Sequence, residues 1–151
     1  MSHLKKGFTL VEALSVIGVL AVLTAMAVPS YASMRKNVVF GNTFQEIASA
    51  LRMAQNNSMT AQDGNMWGVK FNNDSYIMLE CNDENCSSPS NTDTYPVSGL
   101  KIITPATNPI IFNRLSGTLY GAAVSQTIAV ENEAGSSVKN IFVEPNGKIS
   151  P

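Results

Sequence analysis

Side chains that bind metals or activate nucleophiles are scarce in this 151-residue chain. It has one histidine, His3, and two cysteines, Cys81 and Cys86. These few side chains leave few ligands for a zinc site and few partners for a catalytic triad. No serine lies in a G-x-S-x-G turn, and no general base is evident. We therefore predict a protein that is not an enzyme, with no cofactor and no catalytic or metal-binding residue.

The chain also lacks an excess of either charge. Ten basic and eleven acidic side chains give a formal net charge of −1. A dedicated nucleic-acid binder carries a basic excess on one face, so this balance argues against DNA as a partner. The charges are unevenly distributed, because Glu12 is the only charged residue between Gly7 and Arg35. That stretch carries the functional prediction.

Residues 8–28 form an apolar stretch in which Glu12 is the only ionisable side chain. As a helix rising ~1.5 Å per residue, the stretch is roughly 31 Å long, which is enough to cross a bilayer core. Lys5 and Lys6 precede it and no acidic residue does, so the amino terminus should stay in the cytoplasm. We expect a single-pass membrane segment over residues 8–29, with the following domain outside the cytoplasm.

A secretory signal peptide is the alternative, because it also has a basic start and an apolar run. Ala25-Met26-Ala27 would be a passable cleavage site. Against it, the run is long for a signal core, and Glu12 lies near its cytoplasmic end. An ionised carboxylate in the membrane costs on the order of 2.5–3.5 kcal/mol, so Glu12 indicates a function.

The residues at the start of this stretch carry a family resemblance. The run K-G-F-T-L-V-E, ending at Glu12, resembles the prepilin leader motif of type IV pilins and of type II secretion pseudopilins. The resemblance implies that a prepilin peptidase removes residues 1–7 by cutting between Gly7 and Phe8, and methylates the new amine of Phe8. It also implies that Glu12 pairs with the amino terminus of a neighbouring subunit during assembly into a filament.

Two residues weaken the apolar helix. Gly18 has a low helix propensity, and Pro29 removes a backbone donor and clashes with the carbonyl four residues earlier. We predict a kink or a local unwinding between Gly18 and Pro29.

Residues 30–57 are predicted to continue as an amphipathic helix. Apolar residues recur at three- and four-residue steps: Phe40, Phe44, Ile47, Leu51 and Ala54. We interpret this stripe as a core face that covers a sheet, in preference to a partner-binding groove.

Residues 58–151 are predicted to form an antiparallel sheet of six or seven short strands, because the period of apolar residues changes from helical to two. The predicted strands lie at residues 66–71, 76–80, 100–104, 110–112, 126–131, 138–144 and 148–150. Residues 81–99 are rich in Asn, Asp, Ser and Pro and are predicted as an exposed loop. The fold class is α+β, a long N-terminal transmembrane and amphipathic helix packed on a small antiparallel sheet domain, as in pilins.

This organisation extends the resemblance to the GspH/FimT group of minor pseudopilins. The similar segments are W-G-V-x-F at residues 67–71, I-I-F followed by Gly117, and I-F-V-E-P-N-G-K-I at residues 141–149. The resemblance implies a minor pseudopilin or minor pilin that assembles with other pilin subunits. A DNA-uptake (competence) pilin is the alternative function. Against it, Lys148 after Gly147 departs from the arginine-bearing tail of DNA-binding members.

Cys81 and Cys86 enclose four residues. In an exported domain, oxidising conditions favour a disulfide between them, and so short a loop would stabilise the fold by about 2 kcal/mol. Asp83, Glu84 and Asp93 could offer oxygen ligands for calcium. They do not match a D-x-D-x-D loop, and we interpret them as solvated acids.

Overall fold

A computed structural model describes residues 8–83, 87–97, 99–132 and 135–151, except for the side chains of residues 26–30, 32, 91 and 92. The chain divides into two compact units, Met1–Val39 and Phe40–Pro151. One helix, α1 (Leu10–Met59), is followed by a 3-10 turn at Gln62–Gly64. Eight strands follow: β1 (Met66–Phe71), β2 (Ser75–Cys81), β3 (Pro89–Pro96), β4 (Leu100–Ile103), β5 (Ile110–Phe112), β6 (Gln126–Asn132), β7 (Val138–Val143) and β8 (Ile149–Ser150).

The first unit contains the amino-terminal part of α1. The helix continues through Gly18 and Pro29 without a break. The kink between these residues stays a prediction. Among the residues whose placement is described, no helix combines the length and the apolarity needed to cross a membrane.

The second unit contains two four-stranded antiparallel sheets, ordered β3-β2-β1-β5 and β4-β6-β7-β8. The predicted single sheet of six or seven strands is therefore wrong in both strand number and layering. Hairpins β1–β2 and β6–β7 join neighbouring segments, whereas β5 pairs with β1 and β4 with β6 across long intervening stretches. The period of apolar residues indicates where strands lie but not which distant strands pair. The sequence pattern alone therefore does not separate the two sheets.

The predicted loop over residues 81–99 is wrong in part, because Pro89–Pro96 forms the edge strand β3. It pairs with β2 from Ser75↔Pro96 to Cys81↔Pro89, with a register shift beside Glu80. Its described side chains are exposed and, apart from Tyr95, are small polar residues or proline. Proline is tolerated in an edge strand, where one side of the backbone needs no partner. A polar edge strand thus has the same composition as a loop.

The helix packs on the sheets as the α+β prediction requires. All five residues of the predicted stripe are buried, with Ile47, Leu51 and Ala54 fully so. They join the inward-facing residues of both sheets in one core: Trp67, Val69, Phe71, Ile128, Val130, Ile141 and Val143. Burying each large side chain stabilises the fold by roughly 1.5–3 kcal/mol. Lys139 lies over one end of this core, with Nζ 5.3 Å and 5.2 Å from the ring centroids of Phe40 and Phe44.

Two polar side chains fix the carboxyl end of α1. Gln55 donates from Nε2 to the carbonyl oxygens of Gly117 at 2.9 Å and of Gly147 at 2.7 Å. Ser58 is fully buried, and its hydroxyl oxygen accepts the backbone N–H of Trp67 at 2.7 Å. The Ser58 contact ties the last turns of the helix to β1, and the Gln55 contacts tie them to two segments that are distant in sequence.

Candidate functional site: the amino-terminal helix

The start of α1 is built around Thr9. The backbone N–H groups of Glu12 and Ala13 both donate to the carbonyl of Thr9 at 3.1 Å. The hydroxyl oxygen of Thr9 also accepts from the N–H of Glu12, at 3.3 Å. Thr9 is thus the N-cap and Glu12 the third helical residue, which is the T-x-x-E spacing of a capping box, although the structure shows only the bond to the threonine hydroxyl. This cap was not predicted from the sequence, although the spacing of Thr9 and Glu12 is typical of the start of a helix.

Glu12 lies in the first turn of the helix, where free backbone N–H groups and the helix dipole favour a carboxylate. The side chain is exposed. Its carboxylate makes no hydrogen bond or ion pair with any residue in the described parts of the chain. The carboxylate is therefore available to a partner outside this chain.

The hydroxyl groups of the apolar stretch need no outside partner. Ser15 donates to the carbonyl of Glu12 at 2.8 Å, and Thr24 donates to the carbonyl of Leu20 at 2.9 Å. Such i−3 and i−4 bonds allow serine and threonine to sit in an apolar environment. Within residues 8–25, Glu12 is thus the side chain whose polar group the helix does not satisfy.

The apolar side chains of this stretch are exposed on all sides of the helix. Their exposed fractions run from 49% to 80%, in Phe8, Leu10, Val11, Leu14, Val16, Ile17, Val19, Leu20, Val22 and Leu23. A Cβ built on Gly18 would meet no atom within 4 Å. A helix that is apolar all round is one that becomes buried, in a membrane or among other helices. Small residues such as Gly18 then permit close approach between helices.

The remaining predicted site residues are only partly placed. Gly7, Glu84 and Cys86 lie outside the described residues, so the cleavage site and the disulfide stay predictions. Cys81 ends β2 and is 1% exposed. It belongs to a small second cluster with Leu79 and Ile111, on the face of the β1–β2 sheet opposite to the main core.

Several basic side chains of the second unit are engaged within the protein. Lys101 pairs with Glu131 at 3.7 Å and Lys148 with Glu144 at 3.4 Å. Lys139 lies over two core phenylalanines, as described above. These cations have protein partners, a state that reduces what they could offer to a phosphate backbone.

Comparison with known proteins adds one finding at the amino-terminal helix. Residues 2–28 match the family described as the prokaryotic N-terminal methylation motif. The matched range includes Gly7, Phe8 and Glu12. No curated protein and no solved structure matches the chain. The match confirms the prepilin-type leader motif and supports a type IV pilin-like structural subunit, made as a precursor for a prepilin peptidase and assembled with other pilins.

Proposed function

We propose that this chain is a minor pseudopilin or minor pilin, a structural subunit of a type II secretion pseudopilus or of a type IV pilus. The observation that carries the proposal is a methylation motif at residues 2–28, placed on a helix whose apolar side chains are exposed all round. Before assembly, residues 8–29 anchor the precursor in the inner membrane. The β-sheet domain lies in the periplasm or on the cell surface and selects neighbouring subunits.

Maturation begins with hydrolysis of the peptide bond between Gly7 and Phe8. Gly7 has no side chain, so a peptidase can approach its backbone closely. The cut turns the amide nitrogen of Phe8 into an amine, which is then methylated. Phe8 lies two residues before α1 begins at Leu10, so the new cation is held at the end of the helix that carries Glu12.

Assembly then pairs opposite charges between subunits. A lone carboxylate in an apolar environment is costly, whereas a hydrogen-bonded ion pair costs far less. Ser15 and Thr24 already donate to carbonyls of their own helix. The Glu12 carboxylate is therefore the polar group that needs a cation from another subunit when the helix is buried. The methylated ammonium at Phe8 of an adjacent subunit has the right charge and helix position to meet it.

The alternative, a DNA-uptake pilin, has less support. DNA binding needs several phosphate contacts from a basic face, whereas the chain has ten basic and eleven acidic side chains. A gel-shift titration of the full-length protein in detergent distinguishes the two functions. We expect no retardation of duplex DNA at moderate salt. Tight, salt-sensitive retardation would favour the DNA-uptake function.

Intact-mass analysis of the cell-derived protein tests the proposal. We expect a species that starts at Phe8 and carries one methyl group. Gly7→Leu should leave the uncleaved precursor. Glu12→Leu should be cleaved normally but should not enter filaments. A wild-type species that starts at Met1, or one that starts at Val28 without a methyl group, would refute the proposal.

A further inference from the structure

Backbone strain is concentrated near the carboxyl end of α1. Of the residues that the structure describes, three that are not glycine have a positive φ: Ala61 at 48°, Asp63 at 55° and Leu115 at 67°. They lie close together, because Arg114 donates from Nη1 to the carbonyl of Gly64 at 2.7 Å. Side chains other than glycine rarely adopt this conformation, and such strained residues cluster where a protein has a function.

The loop that carries Leu115 is held rigidly, yet the leucine side chain is 70% exposed. Asn113 closes the loop, since its N–H donates to the carbonyl of Thr118 at 2.7 Å and its carbonyl accepts from Gly117 at 2.9 Å. The N–H of Leu115 itself donates to the carbonyl of Ser58 at 2.9 Å. We call Leu115 and its neighbour Arg114 the knob. Because these bonds hold the backbone of the loop, little backbone entropy is lost when the knob docks.

A groove of complementary chemistry lies between α1 and the edge strand β3. Ala50, Tyr76 and Met78 are buried and form its floor, while Met53 and Tyr95 are 54% and 40% exposed and form its walls. The two tyrosine rings stack with centroids 5.0 Å apart. The groove is a depression of about 190 Å³ that is open to solvent. The groove is therefore large enough for the four-carbon side chain of leucine.

The knob and the groove also carry opposite charges. Glu46 lines the groove and makes no hydrogen bond or ion pair with any residue whose placement is described. Burial, and next the nearby Glu46 carboxylate, raise the pKa of the Tyr76 hydroxyl, which places that negative charge beside the groove floor. Arg114 uses Nη1 on a backbone carbonyl, and the described residues accept none of its other guanidinium donors. Such charge complementarity sets which partner docks and in which orientation.

We propose that the groove of one copy of this chain receives Leu115 of a second copy, with Arg114 of that second copy facing Glu46. In a single chain Leu115 is 70% exposed, so it does not fill its own groove. Knob and groove are different patches of the same surface, so the contact is heterologous and joins two neighbouring copies head to tail. The inference rests on the proposed function, because it adds a contact between domains to the filament built by the amino-terminal helices.

Photo-crosslinking of the full-length protein in cells tests this contact. Ser49 lines the groove and is exposed, so Ser49→p-benzoylphenylalanine places a photo-reactive group there. We expect a product of twice the mass of one copy, joined to a peptide that contains residues 113–118. The matched control is the same replacement at Val124, which is 67% exposed and lines neither feature. The control should give no such product.

Variants of the knob and the groove identify which side chains carry the contact. Glu46→Arg should reduce the crosslinked product about fivefold or more, because it places a like charge opposite Arg114, whereas Glu46→Asp keeps the charge and should keep the product. Leu115→Gly removes the side chain and also relieves the strain of a positive φ. This variant should therefore stay folded while losing the product at least about tenfold.

Three results would overturn the proposal: no product, a product with a different protein, or an undiminished product from the Glu46→Arg variant. Intact mass is measured in the same cells, so the two hypotheses fail separately. A chain that starts at Phe8 and carries a methyl group but gives no product refutes only the contact. A chain that does not start at Phe8 refutes the proposed function.

Discussion

Replacement of Gly147 by alanine probes how the carboxyl end of α1 is attached to the last turn of the domain. Gly147 has a φ of +87°, and a Cβ built there would run into the carbonyl oxygen of Gly117 and into Nε2 of Gln55. Gln55 Nε2 donates to the carbonyls of both glycines. The added methyl group therefore strains the backbone and also separates three groups that meet at one point.

Gly121 provides a matched control. Its φ is +66°, but a Cβ there would meet nothing within 4 Å. An alanine in the left-handed region costs about 1–2 kcal/mol at either position. At Gly147 the change also breaks two hydrogen bonds, each worth about 0.5–1.5 kcal/mol. Gly147→Ala should thus lower the free energy of unfolding by about 2–5 kcal/mol, and Gly121→Ala by about 1–2 kcal/mol.

Denaturant unfolding of the purified full-length chain measures both losses. Trp67 is the single tryptophan and is 7% exposed, so its fluorescence reports the loss of the core. Gln55→Ala removes the amide that the new methyl group would displace, so in that background Gly147→Ala should cost less. Equal losses at the two glycines, or an undiminished cost in the Gln55→Ala background, would refute the reasoning.

Three further predictions concern the same domain. Ser58→Ala should lower the free energy of unfolding by about 1–3 kcal/mol, because the buried N–H of Trp67 loses its acceptor; a loss below about 0.5 kcal/mol in the same denaturation assay would contradict this. If Cys81 and Cys86 form the predicted disulfide, Cys86→Ser should cost about 2 kcal/mol in oxidising solution and almost nothing in reducing solution; equal costs in both solutions would contradict the bond. Burial raises the pKa of the Tyr76 hydroxyl above its ordinary value of 10.0. The contribution of Tyr76 to stability is therefore complete below about pH 10 and is lost as the pH rises through the folded pKa. Tyr76→Phe should therefore lose less stability than the wild type between about pH 9 and pH 11, and identical slopes in unfolding measured across that range would argue against the shift.

Sequence patterns predicted the elements whose residues contact near neighbours in the chain. Phe44, Ile47 and Leu51 mark the buried face of α1 because helical spacing alone puts them on one side. The β1–β2 hairpin follows from two alternating runs and a polar turn, and its register, Phe71↔Tyr76, closes directly around that turn. In these elements each residue's partner lies within a few positions of it, so the pattern contains the answer.

The rest of the fold depends on contacts between distant residues. The stripe of α1 did not indicate that Gln55 meets Gly117 and Gly147, which are 62 and 92 positions away. The composition of β3 matches a loop, because an edge strand with polar side chains buries little and needs no apolar alternation. Leu115 in the sequence is one leucine in a polar turn; only the backbone reveals its positive φ and its exposure.

The candidate site divides in the same way. Phe8 and Glu12 were predicted from the leader motif, and the matched methylation motif spans both. The motif did not show that Thr9 caps the helix, or that Ser15 and Thr24 donate to their own backbone. Within residues 8–25, these local bonds set Glu12 apart. The hydroxyls of Thr9, Ser15 and Thr24 are hydrogen-bonded within the helix, whereas the Glu12 carboxylate is not.

On the proposed function, this chemistry also orders the steps of assembly. In the precursor the nitrogen of Phe8 is an uncharged amide, so it cannot neutralise Glu12 of a neighbour. Cleavage turns the amide nitrogen into a cation. Only then can Glu12 be buried among apolar helices as half of an ion pair, at a much lower free-energy cost than a lone carboxylate. A subunit with an uncut leader therefore brings an unpaired carboxylate to the filament without a cation at the nitrogen of Phe8. Hydrolysis at Gly7 acts as a chemical gate on entry, and the gate needs no change of fold in the β-sheet domain.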